Sequence, residues 1–359
     1  MTNAVAIAQY GSTSPNKNRI INGAMVISQR NGTSSVTPAN NDYTIDRFIF
    51  KASQASKFTA QQLSASPPTG FNTYLGMTVA SAVTIGSGDY FSIGQRIEGY
   101  NIQDLGLGTS NAKAFTLSFW AYSSLTGTFG GAITSGGGDA SYGFNYTISS
   151  SNTWTYITVS VPATSTGTWN ANSNSTGMQI YWGLGVGSTY SATAGSWGST
   201  NAFGATGSLS VVATGSATFY ITGVQLEAGT TASPFEYRQF GQELYLCQRY
   251  YEKSYNLDVV AGTATYAGFE LVGGTTDAGN NASLCIRFKV PKRVAPTLNF
   301  YNAGSGASGT WQYERSGAGG SPTVNIDQNG MNSASVYGAA GASYVACRFY
   351  GQWTGSAEL

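Results

Sequence analysis

The chain has 359 residues, of which 41% are hydrophobic, 13% aromatic and only 9% charged. This length exceeds what one hydrophobic core usually fills, so we expect two domains. The 17 basic and 16 acidic side chains nearly cancel, and histidine is absent. Near-neutral charge argues against nucleic acid and membrane surfaces as partners. Without histidine, Ser/His/Asp and Cys/His catalytic mechanisms are excluded.

The three cysteines, Cys247, Cys285 and Cys347, have no CxxC spacing. They indicate neither a zinc site nor a disulfide framework, and no cofactor is predicted. The amino terminus lacks the basic start and apolar core of a signal peptide, and no stretch approaches the ~20 apolar residues that cross a bilayer. We therefore expect a soluble protein that is made in a cytoplasm and does not insert into a membrane.

Residues 1–18 are small and polar and have no amphipathic period. They are predicted to form an attachment arm rather than part of a core.

Residues 19–238 are predicted to form a jelly-roll β-sandwich, because short alternating strands are separated by clusters of Gly, Ser, Thr and Asn. In 115–122, Phe115, Leu117, Phe119 and Ala121 are expected to point inward, which leaves Trp120 and Tyr122 on the opposite face. In 178–186, the inward set is Met178, Ile180, Trp182, Leu184 and Val186. In 217–227, Gly223 is predicted to form a bulge after which Val224 and Leu226 point inward.

Residues 239–359 are predicted to form a second, smaller β-sandwich domain that begins with a connector helix. Within 239–253, Phe240, Leu244, Cys247 and Tyr251 recur at helical spacing. Strand alternation then returns at 284–290 and 345–353. The predicted fold class is therefore all-β, with one short helix between two β domains.

Several longer sequence strings resemble those of bacteriophage and prophage tail-fibre or minor structural proteins that carry a carbohydrate-binding-module-like jelly roll. The resemblance covers about residues 18–255. The strings are Asn18-Arg-Ile-Ile-Asn-Gly-Ala-Met, Ser28-Gln-Arg-Asn-Gly, Tyr43-Thr-Ile-Asp-Arg-Phe, Thr116-Leu-Ser-Phe-Trp-Ala, Ala217-Thr-Phe-Tyr-Ile-Thr-Gly-Val-Gln-Leu-Glu, Ser233-Pro-Phe-Glu-Tyr-Arg and Leu244-Tyr-Leu-Cys-Gln-Arg-Tyr-Tyr.

The resemblance implies a virion component, usually a homotrimer, whose amino-terminal arm docks on other virion proteins while its β domains face the host. It also implies assembly in the host cytoplasm and release by lysis. A surface rich in Ser, Thr, Gly and Asn agrees with this role, because it provides solubility without a charge that salt would screen.

A carbohydrate-binding surface is predicted on the sheet face opposite the core. Sugar rings stack on aromatic side chains, while amide and hydroxyl groups bind the hydroxyls at the ring edge. If their strands are neighbours, Trp120 and Tyr122 would lie beside Tyr156, Gln179 and Tyr181. Gly183 and Gly185 would then leave room for a ligand. The loop residues Trp169 and Trp197 are alternative platforms. The candidates on the sheet are Trp120, Tyr122, Tyr156, Gln179 and Tyr181.

A competing interpretation is that this face packs on a neighbouring subunit or under a loop, since burial is the commoner role of large rings. Carbohydrate-binding jelly rolls often hold a structural calcium ion, and Asp46 and Glu227 lie at roughly corresponding places. Two carboxylates fall far short of the six to eight oxygen ligands of calcium, so no metal ligands are predicted.

The predicted function is recognition of host cell-surface polysaccharide by a phage fibre or tail-associated protein that is not an enzyme. One alternative is a purely structural decoration or adaptor protein of the virion. A second is a polysaccharide depolymerase, which needs paired carboxylates about 5–10 Å apart. Glu98, Asp104 and Glu227 are the acids considered for such a pair, and nothing in their spacing supports it.

Overall fold

The computed structural model describes residues 17–274, 281–315, 318–339 and 347–359. Most of the predicted arm, and Val345 of the last predicted strand, lie outside these ranges. The chain divides into two compact units. The first contains residues up to Val26, Thr33–Phe240 and Leu359, and the second contains Ile27–Gly32 and Gly241–Glu358.

The first unit is built from strands joined mainly by turns and loops. Short 3-10 helices cover Gly99–Leu105, Ser188–Tyr190 and Val211–Ala213. The strands are β1 (Tyr43–Ile45), β2 (Phe48–Ala52), β3 (Phe58–Leu63), β4 (Tyr74–Val79), β5 (Tyr90–Glu98), β6 (Phe115–Ser123), β7 (Gly127–Ser135), β8 (Ser141–Ile148), β9 (Thr155–Val161), β10 (Thr176–Val186), β11 (Ser191–Ala192), β12 (Trp197–Gly198), β13 (Gly204–Ala205) and β14 (Thr218–Ala228).

Two antiparallel sheets form a sandwich in this unit. One has the strand order β1-β2-β5-β10-β7-β8-β12 and the other β3-β4-β14-β6-β9, while β11 and β13 form a small parallel pair. The chain changes sheet repeatedly, for example from β5 to β6, from β6 to β7 and from β8 to β9. This winding between two facing sheets is that of a jelly roll, so the predicted fold is confirmed.

Alternating side chains fill the space between the sheets. Phe115, Leu117 and Phe119 of β6 are fully buried in the core, as predicted. The register of β14 against β6 shifts between Thr222 and Gln225, and Gly223 has a φ of 62°, which confirms the predicted bulge.

Strand β10 departs from its predicted pattern at its end. Met178, Ile180, Trp182 and Leu184 are buried in the core. The register against β5 then shifts between Gly183 and Gly185. Because a one-residue shift exchanges the two faces, Val186 joins an outer cluster instead of the core, and its predicted inward position was wrong.

Helix α1 (Phe240–Gln248) opens the longer segment of the second unit, although its first residue is assigned to the first unit. The sequence predicted a helix to Lys253. Instead Tyr251–Lys253 forms β15, because its backbone pairs with the last strand of the chain. Among the described residues, no helix has the length and apolar character needed to span a membrane.

Two sheets share one core in the second unit. Besides β15, the strands are β16 (Glu270–Gly274), β17 (Asn281–Arg287), β18 (Thr297–Tyr301), β19 (Gln312–Arg315), β20 (Ala318–Gly320), β21 (Val324–Asn329), β22 (Ser333–Ala339) and β23 (Cys347–Ser356). Strands β15, β16, β18 and β19 all pair with β23, and β20 pairs with β19, while the other sheet has the order β17-β22-β21. Both sheets contribute to a core that includes Ile286, Trp311, Val336 and Phe349.

Candidate functional site

An aromatic pair lies on the outer face of the five-stranded sheet. Trp120 of β6 is directly opposite Tyr156 of β9 in the ladder, and their ring centroids are 5.3 Å apart at an interplanar angle of 49°. Tyr156 is 47% exposed, and Trp120 is partly exposed. Directly opposite residues on adjacent strands share a face, so the pair forms one accessible aromatic surface.

This pair forms part of the floor of a cleft of about 730 Å³. One wall comes from the loop between β3 and β4, and the other from the segment that follows β14. Phe71 contacts Phe235 and Tyr237 with ring centroids 5.0 Å and 5.6 Å away, and these rings join the two walls. The polar lining residues are Thr69, Ser118, Thr158, Thr230, Thr231 and Ser233.

The bulge at Gly223 allows the cleft to form beside the sheet. A Cβ atom at this position would lie 2.6 Å from the Phe71 ring and 3.0 Å from the Trp120 ring. The positive φ of the residue also disfavours any side chain. Glycine therefore allows the two rings to approach the backbone of β14.

Buried hydrogen bonds fix the wall that follows β14. Glu227 accepts hydrogen bonds from the backbone N–H of Ser233 at 2.8 Å and from Nε2 of Gln225 at 2.8 Å. Oε1 of Gln225 accepts one from the backbone N–H of Glu236 at 2.8 Å. The Glu227 carboxylate thus anchors a turn of the protein.

Tyr122 is packed, in contrast to Trp120. Its ring stacks on Tyr220 with centroids 4.9 Å apart and lies 5.4 Å from Trp154. Trp154 Nε1 donates a hydrogen bond to the carbonyl of Ser66, which lies in the loop after β3. Burial, and secondarily the neighbouring Tyr220 phenol, raises the pKa of Tyr122. Tyr122 therefore holds a loop against the sheet, as the competing interpretation expected for this face.

Gln179 and Tyr181 are not beside Trp120, so that part of the predicted surface was wrong. They belong to β10 of the seven-stranded sheet, whereas Trp120 belongs to the opposite sheet. Tyr181 is fully buried, with its ring 5.2 Å from Phe203, and its hydroxyl donates to Oε1 of Gln179 at 2.8 Å. Alternation assigns residues to faces but does not determine which strands are neighbours.

The glycines of β10 leave no room for a ligand, in contrast to the expectation. A Cβ atom on Gly185 would lie 2.7 Å from the side chain of Val212. One on Gly183 would lie 3.3 Å from the carbonyl oxygen of Gly130 and from the side chain of Val186. Both positions are closely packed by protein.

Trp169 and Trp197, the predicted loop platforms, contact each other with ring centroids 5.7 Å apart at 85°. Trp197 lies in β12 rather than in a loop, because its backbone pairs with that of Tyr142 in β8. Trp169 is only 3% exposed, and its Nε1 donates to the carbonyl of Thr166 at 2.8 Å. Trp197 is partly exposed and donates to the carbonyl of Pro162 at 2.9 Å. The ring of Trp169 therefore has little surface for a sugar, because it packs into the core.

The described residues form no metal centre near the cleft, and no acidic residue is among those that line it. They contain no group of three or more Cys, Asp or Glu side chains arranged to hold a metal ion. The lining residues that the structure describes are all uncharged. Of the acids considered earlier, Asp104 forms an ion pair with Arg19, and Glu98 and Glu227 are buried.

Sequence reasoning missed both walls of the cleft, which include Phe71 on one side and Phe235 and Tyr237 on the other. No local pattern indicates that the segment after β14 turns back toward the loop between β3 and β4. A usable signal was the aromatic spacing in Phe235 and Tyr237 directly after the last strand of the sandwich.

No protein-family profile matches the sequence, and a search of curated proteins finds no similar sequence. Some solved structures share part of the fold. The enzymatically active domain of tailspike protein 4 of bacteriophage CBA120 is 13% identical over 60% of this chain, with a TM-score of 0.32, and the match spans 22% of that protein's length.

Two further matches are carbohydrate-associated proteins. The carbohydrate-binding module TmCBM61, solved with β-1,4-galactotriose, is 9% identical over 59% of this chain and 99% of its own, with a TM-score of 0.31. A putative sugar-binding protein from Bacteroides thetaiotaomicron is 12% identical over 59% of this chain and 100% of its own, with a TM-score of 0.36. These proteins are what part of this chain resembles in fold.

Proposed function

We propose that the first unit binds a glycan of a host cell surface through the cleft and does not cleave it. The observation that carries this proposal is the accessible Trp120–Tyr156 pair in an uncharged, hydroxyl-lined cleft. Aromatic rings bind the C–H faces of sugars, and hydroxyl groups such as those of Thr158 and Thr230 both donate and accept hydrogen bonds. The cleft volume of about 730 Å³ is within the usual range of ligand sites.

Binding without cleavage is part of the same proposal. Glycosidic hydrolysis uses two carboxyl groups that flank the scissile bond. The nearby Glu227 is buried and accepts hydrogen bonds from Ser233 and Gln225. Incubating the protein with bacterial surface polysaccharide and measuring chain length tests this point. Shortened chains would support the depolymerase alternative.

We further propose that the chain is a homotrimeric fibre or tail-associated protein of a phage virion. The support is the resemblance of the sequence strings over residues 18–255 and a surface poor in charge. On this proposal, residues 1–18 attach to other virion proteins, and the protein is assembled in the host cytoplasm and released by lysis. Locating the chain in particles by cryo-electron microscopy tests the assignment, and its absence from virions would refute it.

The glycan proposal predicts that Trp120→Ala and Tyr156→Ala each weaken binding to bacterial surface glycans about tenfold, because each removes a stacking ring. The measurement is titration on a glycan array, with light scattering to verify the oligomer. Tyr100→Ala is the matched control, since Tyr100 is similarly exposed and lies outside the cleft.

Two outcomes would contradict this prediction. Unchanged glycan binding by correctly folded Trp120→Ala and Tyr156→Ala proteins would show that the cleft is not the glycan-binding site. Loss of the oligomer in these variants would instead favour the purely structural alternative, in which the exposed Tyr156 and Tyr237 contact a neighbouring subunit.

A further inference from the structure

Hydroxyl side chains lie next to the aromatic pair in the floor of the cleft. In the ladder of β6 with β9, Trp120 is directly opposite Tyr156, and Ser118 is directly opposite Thr158. Residues two apart along a strand share a face and are separated by roughly 7 Å. A sugar ring that stacks on Trp120 and Tyr156 therefore has the exposed Thr158 hydroxyl within reach of one edge.

On the β14 side, the aromatic pair is bordered by further rings. Gly223 of β14 lies beside the rings of both Phe71 and Trp120, because a Cβ atom on it would be 2.6 Å from the first ring and 3.0 Å from the second. Phe235 packs against Phe71 with ring centroids 5.0 Å apart at an interplanar angle of 72°. A different edge of the stacked sugar therefore meets the ring carbon atoms of Phe71 and Phe235.

This ring border has few groups that could bind a hydroxyl group. Tyr237, which contacts Phe71 and Phe235, donates its hydroxyl hydrogen to the carbonyl of Gly70 at 2.9 Å. None of the described residues that line the cleft has an amide, carboxylate or cationic side chain. A sugar hydroxyl that leaves water for this border loses hydrogen bonds that the bordering side chains do not replace, and such a loss weakens binding.

We propose that the cleft prefers 6-deoxyhexoses, in which a methyl group replaces the hydroxymethyl group of the sugar ring. This inference rests on the proposed glycan binding and specifies its ligand class. The methyl group lies against Phe71 and Phe235 and gains from leaving water, while a ring hydroxyl bonds to Thr158. Apolar sites reject an added hydroxyl by about a hundredfold at most. Because this cleft is open, we expect a preference of about tenfold.

The test compares sugars that differ only in the hydroxyl group at carbon 6. Methyl glycosides of L-rhamnose and L-mannose, of L-fucose and L-galactose, and of D-fucose and D-galactose are titrated into the full chain by calorimetry. At least one 6-deoxy sugar is expected to bind, about tenfold more tightly than its hydroxylated counterpart. Weaker binding by Trp120→Ala verifies that the sugar occupies the cleft.

Two variants of Phe235 test the role of the ring border. Phe235→Leu keeps the position apolar, so the affinity ratio within the sugar pair should stay near tenfold. Phe235→Asn places an amide there that can pair with the extra hydroxyl, so the ratio should fall toward one. Melting temperatures verify that both variants fold. An unchanged ratio in folded Phe235→Asn would overturn the proposal.

Saturation-transfer NMR provides a readout that does not depend on a variant. Saturation of the aromatic protons of the protein should reach the methyl protons of the bound 6-deoxy sugar more strongly than its ring protons at the opposite edge. The reverse order would contradict the placement of the methyl group against Phe71 and Phe235.

The outcomes separate the preference from glycan binding itself. If the hydroxylated sugars bind as tightly as their 6-deoxy counterparts and Trp120→Ala weakens both, glycan binding is retained and the preference is refuted. Tighter binding of N-acetylglucosamine or glucuronic acid than of every 6-deoxy sugar also refutes the preference. If no glycan binds in these titrations or on the array, both proposals are refuted.

Discussion

The cleft of the first unit and a cavity of the second unit, between helix α1 and the sheet around β23, have the same volume, about 730 Å³, but opposite chemistry. The described lining of the cleft is uncharged, whereas the cavity is lined by the charged residues Glu252, Lys253, Asp258, Glu270, Arg287 and Lys289. The outer face of a sheet exposes alternate side chains without burying charge. A cavity between a helix and a sheet instead requires that buried charges beside it pair with protein groups, as Glu252 does with Lys292.

The largest expected effect comes from breaking the buried ion pair between Glu252 and Lys292 in the second unit. Burial lowers the pKa of Lys292, and Glu252 opposes this shift, so the ion pair itself is a weak source of stability. Lys292→Met nevertheless leaves the Glu252 carboxylate buried without its cation. We expect the free energy of unfolding of the second unit to fall by about 3–5 kcal/mol.

Urea unfolding followed by tryptophan fluorescence measures this change. Lys289→Met is the control, because the exposed ammonium of Lys289 should contribute within about 0.5 kcal/mol. Equal stability of the two variants would show that the ion pair between Glu252 and Lys292 does not stabilise the second unit.

A smaller effect is expected in the first unit, where the cleft depends on backbone shape. Gly223→Ala places a Cβ atom against Phe71 and Trp120 at a positive φ. We expect a loss of about 1–3 kcal/mol in the free energy of unfolding, together with weaker glycan binding. Gly215→Ala is the matched control, since no atom lies within 4 Å of its Cβ position. Unaltered glycan binding by Gly223→Ala would show that the cleft does not depend on the bulge.

The smallest effect concerns Tyr146, a core residue of the first unit. Its buried hydroxyl has no hydrogen-bond partner among the described residues, and burial raises its pKa above the usual 10.0. Above pH 10 the unfolded chain loses this proton while the folded chain retains it, so the stability falls as the pH rises. Tyr146→Phe should raise stability by about 1 kcal/mol at pH 7 and make the alkaline loss less steep.

Thermal unfolding between pH 7 and pH 11 measures both consequences. Tyr100→Phe is the control, because Tyr100 is exposed. An unchanged alkaline slope for Tyr146→Phe would mean that this hydroxyl does not contribute to the pH dependence.

Sequence reasoning succeeded where one strand's own alternation decides the outcome. The inward residues of β6, the buried part of β10 and the bulge at Gly223 follow from local periodicity and glycine chemistry. Sequence reasoning failed where the outcome depends on which strands are neighbours. The sequence predicted one surface from Trp120 and Tyr181, but the two lie on different sheets.

Contacts between distant segments also determine the cleft of the first unit and the cavity of the second, and local alternation does not predict such contacts. Tyr122 and Tyr156 both point away from the core, but only the packing of Trp154 and Tyr220 against Tyr122 distinguishes a partly covered ring from an exposed one. The second cavity gave no sequence signal. Its helix and its Trp353 are about a hundred residues apart along the chain.

The amino-acid sequence by itself determined that the chain forms strands, where several of them turn, and which side chains face inward, because these properties depend on spacing within one segment. Only the tertiary structure decided which strands are neighbours, which aromatic rings stay accessible and which buried polar atoms remain unpaired. Those properties depend on contacts between distant segments, and side-chain period carries no information about strand order.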